Sequence, residues 1–159
     1  MDWFSKRKNA ALLCFGIGGV LALLLIIYAP VRMHALVLDG GELREMALLC
    51  AAPERSDELV YVKDEQVCAQ VVKAMEGISL RRVRSAPYVA IRETIYIVKP
   101  SLMSGGMATG FTVDAEGAVY CGHVQYRTLD KEDGAVLYAA MEQIWQQMKK
   151  SKPRVKRVV

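Results

Sequence analysis

The sequence predicts an α+β protein in which an N-terminal single transmembrane helix is followed by an antiparallel sheet packed with amphipathic helices. Three observations support this prediction: an uncharged apolar run from Ala10 to Ala29, two later segments with helical periodicity, and a β-rich stretch between them. The chain beyond Pro30 is long enough for one compact domain. We therefore expect a basic N-terminus at residues 1–9, a transmembrane helix at 10–29, an α+β domain at 30–150 and a basic disordered tail at 151–159.

The apolar run has the length and the flanking charges of a membrane anchor. At about 1.5 Å per helical residue it reaches about 30 Å, the thickness of the hydrocarbon core of a bilayer. Lys6, Arg7 and Lys8 precede the run and only Arg32 follows it closely, so the positive-inside rule predicts a cytoplasmic N-terminus and an extracytoplasmic domain. A removable signal peptide would have a shorter apolar stretch, of about 7 to 15 residues. We therefore expect a single-pass signal-anchor in the cell membrane.

Small residues recur at every fourth position of this run, at Cys14, Gly18 and Ala22. In lipid this spacing lets two helix backbones approach closely, which predicts a possible homodimer through the transmembrane helix. The alternative is that Gly and Ala are frequent in membrane helices for other reasons.

The first helix of the domain is predicted from Asp64 to Glu76. Asp64 can cap the free N–H groups of the first turn, and Gly77 favours a left-handed end. The spacing of the apolar residues is that of an amphipathic helix laid on a core. The residues predicted on its buried face are Val67, Cys68, Val71, Val72 and Met75.

The second helix is predicted from about Asp130 to about Lys150. Acidic residues in its first turn complement the positive end of the helix dipole, and Pro153 cannot continue it. The predicted buried stripe consists of Leu137, Ala140, Met141, Ile144 and Met148.

Strands are predicted before and between these helices, and the segment from Asp114 to Gly117 has the composition of a tight turn that closes a hairpin. Residues 31–53 remain open, because 39–41 could turn a hairpin while 42–52 also has the composition of a helix. The predicted strands are Glu58–Lys63, Leu80–Arg84, Tyr88–Val98, Thr109–Asp114 and Ala118–Thr128.

This layout resembles a loose class of small membrane-anchored extracytoplasmic α+β domains of Gram-positive bacteria, mostly of unknown function. The resemblance covers residues 58–150, through the helix that begins at Asp64, the exit from Gly77 into a strand at Leu80, the turn that begins at Asp114, and the final amphipathic helix. It implies an exported interaction domain and brings no catalytic residue with it.

The loop from Ser101 to Met107 is the first candidate for a contact with a peptide or protein. Its candidate residues are Ser104, Gly105, Gly106 and Met107. Methionine side chains adapt to varied partners, while successive N–H groups around two glycines could also cradle an anion. A plain loop between strands explains the glycines equally well.

Two basic features are candidates for contacts with acidic partners. Strand alternation would place Arg82 and Arg84 on one face, with Arg92 near them, although arginines on a solvated sheet face are common. The C-terminal charges could hold an anionic lipid or wall polymer, or only improve solubility. The residues of this tail are Lys149, Lys150, Lys152, Arg154, Lys156 and Arg157.

The net charge of +4 comes from the two ends of the chain, because 12 basic residues stand against 16 acidic ones between Pro30 and Met148. No predicted helix carries a basic stripe, so we expect no nucleic-acid partner.

Catalytic and metal chemistry have little support in the sequence. Cys121 and His123 would share a face of a strand, but zinc would need two further ligands and catalysis an ionised thiol. Any disulfide among Cys50, Cys68 and Cys121 stays open. We expect no cofactor, no metal and no catalytic residue.

These observations together predict a membrane-tethered extracytoplasmic interaction domain, as an accessory subunit of an envelope assembly. One alternative is a small membrane-bound hydrolase or thiol enzyme that uses Cys121 and His123, or a hydroxyl of the Ser101 to Ser104 loop. The other is a lipid or wall-polymer binder that uses the basic tail.

Overall fold

The computed structural model describes residues 16–25, 28–53, 55–85, 93–105 and 108–151 of the chain. Within these residues the fold is α+β, with one eight-stranded antiparallel sheet, as the sequence predicts. In chain order the elements are β1 (Val31–Arg32), α1 (Met33–Leu38), β2 (Leu43–Ala52), β3 (Arg55–Val62), α2 (Glu65–Met75), β4 (Ser79–Ser85), β5 (Ile95–Leu102), β6 (Phe111–Asp114), β7 (Val119–Cys121), β8 (Val124–Thr128) and α3 (Lys131–Ser151).

The predicted membrane span is described only in part. Residues 16–25 are helical, and their apolar side chains are exposed; Leu25, for example, is 73% exposed. Among the described residues, no helix combines the length and the apolar character needed to cross a membrane. Residues 10–15, which include Cys14, and residues 26–27 lie outside the described residues.

The strands follow the order β1-β4-β8-β7-β6-β5-β2-β3, and every neighbouring pair is antiparallel. The predicted hairpin between β6 and β7 is confirmed. The N–H of Gly117 donates to the carbonyl of Asp114 at 2.9 Å, and the side chain of Asp114 accepts from the N–H of Ala118 at 2.8 Å. Gly117 has a φ of 78°, a left-handed value that glycine adopts without steric cost.

The core lies between one face of the sheet and the helices. One row of buried side chains crosses five neighbouring strands in register: Val60, Leu48, Val98, Phe111 and Cys121. These side chains belong to the same apolar cluster as the buried residues of all three labelled helices. The helices therefore cover one face of the sheet, as predicted for an α+β domain.

The helix predicted from Asp64 is confirmed as α2. Asp64 accepts hydrogen bonds from the N–H groups of Gln66 at 2.9 Å and Val67 at 3.1 Å. Val67, Cys68, Val71 and Met75 are buried as predicted, while Val72 is only half-buried.

The final helix is confirmed as α3 and begins one residue after Asp130, whose side chain accepts from the N–H of Glu132 at 3.0 Å. Leu137, Met141 and Ile144 are buried as predicted. Trp145 and Gly134 are also buried, which the sequence did not predict. Trp145 extends the apolar stripe sideways, and Gly134 packs on the β6–β7 hairpin.

Residues 31–53, which the sequence left open, form a short strand, a short helix and the long strand β2. Residues 43–52 adopt a strand despite their helical composition, because β2 pairs on both sides, with β3 and with β5. Backbone pairing on two edges outweighs a local helix preference of a few tenths of a kcal/mol per residue.

Two predicted strands differ most from those of the structure, and residues 88–92 of the predicted strand Tyr88–Val98 lie outside the described residues. The segment 118–128 forms two strands, because a turn at Gly122 and His123 separates β7 from β8. Strand β5 continues through Pro100 to Leu102, where the sequence predicted a loop. Pro100 is tolerated because β6 pairs with β5 only as far as Val98, so the missing N–H removes no bond to β6.

Candidate functional site

A groove of about 500 Å³ runs between α1 and α2 and is closed at one end by the α1–β2 connection. Cavities of this size hold small ligands or anchoring side chains. Its lining residues are His34, Leu38, Gly40, Gly41, Glu42, Leu43, Glu65, Cys68, Ala69, Val72, Lys73, Glu76 and Met103.

One face of α2 forms the longest wall of the groove. The lining positions of α2 and its C-cap recur every three to four residues, at 65, 68–69, 72–73 and 76, which places them on one side of a helix. Cys68, Ala69 and Val72 are small and form the floor of this wall, while Glu65 and Glu76 lie at its two ends. Small side chains at these positions leave space that bulkier ones would have filled.

The glycine loop predicted as a contact surface borders this groove. The N–H of Met103 donates to the carbonyl of Glu42 at 2.9 Å, and the N–H of Thr109 donates to the carbonyl of Val37 at 2.9 Å. Both ends of the loop are thus hydrogen-bonded to α1 or to the α1–β2 connection, which lie across the groove from α2. Met103 itself is 59% exposed and lines the groove.

The four predicted loop residues divide into two pairs. Ser104 and Gly105 follow Met103 in a turn, in which the N–H of Gly105 donates to the carbonyl of Leu102 at 3.1 Å. Gly105 has a φ of 74°, which explains the glycine by backbone geometry. Gly106 and Met107 lie outside the described residues.

Gly41 fixes the closed end of the groove. A Cβ atom at this position would lie 2.8 Å from Cδ1 of Leu102 and 3.1 Å from the carbonyl oxygen of Leu38. A side chain here would have to displace the end of the Leu102 side chain, and glycine lets α1 and β5 approach each other without that shift. The same contact holds Met103, which follows Leu102 directly, at the rim.

The rim of the groove carries more negative than positive charge. The lining residues include the exposed Glu42, Glu65 and Glu76, one lysine, Lys73, and the half-buried His34. In the described part of the chain the ion pairs are Lys63–Glu45 and Lys149–Glu58, so none of the rim charges is neutralised by an ion pair there. The groove therefore combines an apolar floor with an acidic rim.

The thiols of Cys68 and Cys121 are buried and held in their protonated form, while Cys50 is half-buried. Burial first, and then the charges of Asp64, Glu45 and Glu65, raise the pKa of Cys68. Burial raises the pKa of Cys121 from 9.0 to about 12. A nucleophilic cysteine needs a lowered pKa, so neither thiol is prepared for catalysis at neutral pH.

Cys121 and His123 are not brought together as neighbours on one strand face. Cys121 is the last residue of β7 and is 5% exposed, whereas His123 is exposed in the following turn. The turn interrupts the alternation on which the predicted pairing depended. No group of three His, Cys, Asp or Glu side chains within the described ranges could hold a metal ion.

The predicted basic patch rests on an alternation that the structure interrupts. A β-bulge shifts the register between Arg82 and Arg84, so that these residues pair with Tyr126 and Gln125, which are consecutive on β8. A bulge inserts one residue and removes the regular two-residue period. The expectation of a shared face therefore loses its basis, and Arg92 lies outside the described residues.

The predicted basic tail is described only at its start. Lys149 and Lys150 belong to the last turn of α3, and Nζ of Lys149 lies 2.9 Å from Oε2 of Glu58. The other four charges of the tail, at Lys152, Arg154, Lys156 and Arg157, lie outside the described residues.

Comparison with protein-family models, with curated proteins and with solved structures finds no match for this chain.

The sequence predicted the position of one groove residue and missed the others. Met103 was expected in a contact loop, but no site was predicted at Glu65, Lys73 or Glu76. The small residues Cys68 and Ala69 beside these charges were the available signal, and it becomes informative only once α1 is known to pack opposite α2.

Proposed function

We propose that this protein is a membrane-tethered extracytoplasmic domain that binds a partner protein through the groove between α1 and α2. The observation that supports this proposal is the groove itself, with its apolar floor, its acidic rim and the exposed Met103 beside it. A methionine at the edge of an apolar groove is typical of surfaces that accept peptide side chains of varied shape.

The charge of the rim indicates the chemistry of the partner. Glu42, Glu65 and Glu76 outnumber Lys73, so a bound segment should carry Lys or Arg beside its apolar anchors. The floor formed by Cys68 and Val72 accepts a side chain of moderate size. We therefore propose that the partner presents a basic segment with one or two apolar anchors, as a subunit of an envelope assembly would.

The proposed tether is supported by the exposed apolar side chains of the N-terminal helical segment. Apolar side chains exposed in one continuous group mark a membrane or protein contact. The exposed fractions of these side chains range from 43% to 73%, and the residues are Ile17, Val20, Leu21, Leu23, Leu24, Leu25 and Tyr28.

Pairing of two tethers is a further part of the proposal. A Cβ atom at Gly18 would have no neighbour within 4 Å in the described structure, which leaves that position open to a second helix. The orientation, with the N-terminus in the cytoplasm, follows from the Lys and Arg residues that precede the run.

The thiol-enzyme alternative has less support than the binding role. It requires a cysteine that ionises near neutral pH, while burial raises the pKa of Cys121 to about 12.

The groove is tested by site-specific photo-crosslinking in intact cells with the full-length protein. A photoreactive amino acid at Met103 should give a discrete adduct with a partner, and the same group at Tyr61 should not. Tyr61 is 64% exposed, and it alternates with the buried Val60 and Val62, so it points away from the helices. Equal adducts from both positions, or none from Met103, would overturn the proposal.

Charge reversal tests the acidic rim in the same assay. The variant Glu65→Lys/Glu76→Lys should reduce the Met103 adduct at least tenfold, because two attractions become repulsions. The matched control Glu93→Lys/Glu116→Lys changes the net charge equally at exposed positions outside the groove. An unchanged adduct in the rim variant, or an equal loss in the control, would contradict an acidic docking site.

A further inference from the structure

Three arginines share the sheet face opposite the helices, at the edge next to the N-terminal helical segment. Arg81 on β4 pairs directly with Arg127 on β8, and Arg32 on β1 pairs with Ser79, two residues before Arg81. Paired residues and residues two apart on a strand point to the same side. All three arginines are exposed.

These arginines are not neutralised by ion pairs within the described structure, where the ion pairs join Lys63 to Glu45 and Lys149 to Glu58. Glu116 lines a recess of about 230 Å³ with Arg127 and Lys131, and it forms no ion pair with either of them in the described chain. Like charges directly opposite each other on neighbouring strands are destabilising. An anion bound between Arg81 and Arg127 would remove this repulsion.

Arg81 also closes a larger recess whose other walls are almost entirely apolar. Its volume is about 730 Å³, and the recess lies between the helical segment and β4. Apart from Arg81, it is lined by Leu21, Leu24, Leu25, Tyr28, Ala29 and Pro30. One guanidinium at the end of an apolar wall is the complement of an amphipathic anion.

We propose that Arg81, with Arg32 and Arg127 beside it, binds the phosphate of an anionic phospholipid whose acyl chains lie against the leucines of the N-terminal helical segment. Guanidinium groups bind phosphate through paired hydrogen bonds. This site rests on the proposed membrane tether, because only a chain held in the bilayer would present Leu21 and Leu25 to lipid.

The dimensions of the recess suit one lipid of the outer leaflet. Leu21 lies four residues before Leu25 in the described helix, a distance of about 6 Å along its axis. This length covers the upper part of an acyl chain when Tyr28 lies at the membrane interface, where tyrosine is enriched. Arg81 then lies at the depth of the phosphate, and Arg32 and Arg127 lie beside it on the same face of the sheet.

The site is tested by native mass spectrometry of the full-length protein in a neutral detergent, titrated with phosphatidylglycerol or with phosphatidylcholine. The wild type should bind one phosphatidylglycerol in clear preference to phosphatidylcholine. Each charge near an anionic lipid contributes about 1 kcal/mol, or about fivefold in affinity, so Arg81→Gln/Arg127→Gln should weaken phosphatidylglycerol binding about thirtyfold. Equal binding of the two lipids, or wild-type affinity in the variant, would overturn the site.

Two controls separate this site from non-specific attraction. The variant Arg44→Gln/Lys99→Gln removes two exposed charges away from the recess and should retain wild-type affinity. Inorganic phosphate should not compete at the concentrations at which phosphatidylglycerol binds, because it cannot use the apolar wall. A loss of affinity in the control variant, or equally strong competition by phosphate, would contradict a lipid site.

Failure of the tether is recognised separately by alkaline carbonate extraction of cell membranes. Release of the wild type into the soluble fraction would overturn the tether and this site with it. Retention in the membrane without preference for phosphatidylglycerol would overturn this site alone.

Discussion

The thiol of Cys121 should be almost inert in the folded protein at neutral pH. Thiol reagents attack through the thiolate, and each unit of pKa changes the thiolate fraction tenfold. Burial raises the pKa of Cys121 from 9.0 to about 12, so the thiolate fraction falls about a thousandfold. The side chain is also only 5% exposed, which slows the approach of a reagent further.

The assay is timed labelling of the full-length protein with N-ethylmaleimide, followed by mass spectrometry of the peptide that contains Cys121. The same reaction in concentrated urea supplies the rate of the unfolded chain. We expect labelling of the native protein to be slower by a factor of at least about a thousand. Native labelling as fast as in urea would refute the burial argument and would favour the thiol-enzyme alternative.

Three further predictions concern stability, each measured by urea denaturation of the full-length protein in detergent. Gly134→Ala should destabilise by about 1–3 kcal/mol despite its better helix propensity, because the new Cβ would lie 2.5 Å from the carbonyl oxygen of Gly117; a gain in stability would contradict this contact. Asp64→Ala should cost about 1 kcal/mol through loss of the α2 cap, and an unchanged midpoint would show that the cap contributes nothing. The folded pKa of Cys121 lies above its unfolded value of 9.0, so its contribution to the free energy of unfolding is complete below pH 9 and is lost as pH rises toward about 12. The loss amounts to at most about 4 kcal/mol. Cys121→Ala should therefore flatten the fall in stability over that pH range, and an equally steep fall would refute the assignment.

The sequence is sufficient for those parts of the fold that are determined locally. The α2 helix depends on Asp64 at its start and on Gly77 after its end, with φ of 83°, and both signals are visible in the sequence. The β6–β7 hairpin depends likewise on Asp114 and Gly117. Capping and turn chemistry act over four residues, so a single segment contains all the information needed.

Other parts of the fold are determined by pairing between distant segments. Residues 43–52 become a strand because β3 and β5 pair with both of their edges. The bulge between Arg82 and Arg84 is likewise a property of the pairing with β8, and nothing in the local composition predicts it.

The groove was beyond sequence reasoning for the same physical reason. Its walls come from α1, α2 and the residue after β5, and these are far apart in the chain. Met103 could be identified because flexible loops with methionine often form contacts. Glu65 and Glu76 could not, because an exposed glutamate on a helix has the same sequence pattern whether or not it borders a groove.

The most direct test of a tethered domain with an outward-facing groove is cysteine labelling in intact cells. Met103→Cys places a thiol on the groove at a position that is 59% exposed, and a membrane-impermeant maleimide reaches it only from outside the cell. We predict that this variant is labelled in intact cells as completely as after lysis. A Ser5→Cys variant should be labelled only after lysis, and the wild type should be labelled weakly in both cases. Labelling of the Met103→Cys variant only after lysis would contradict the proposed orientation and, with it, a groove that binds an extracytoplasmic partner.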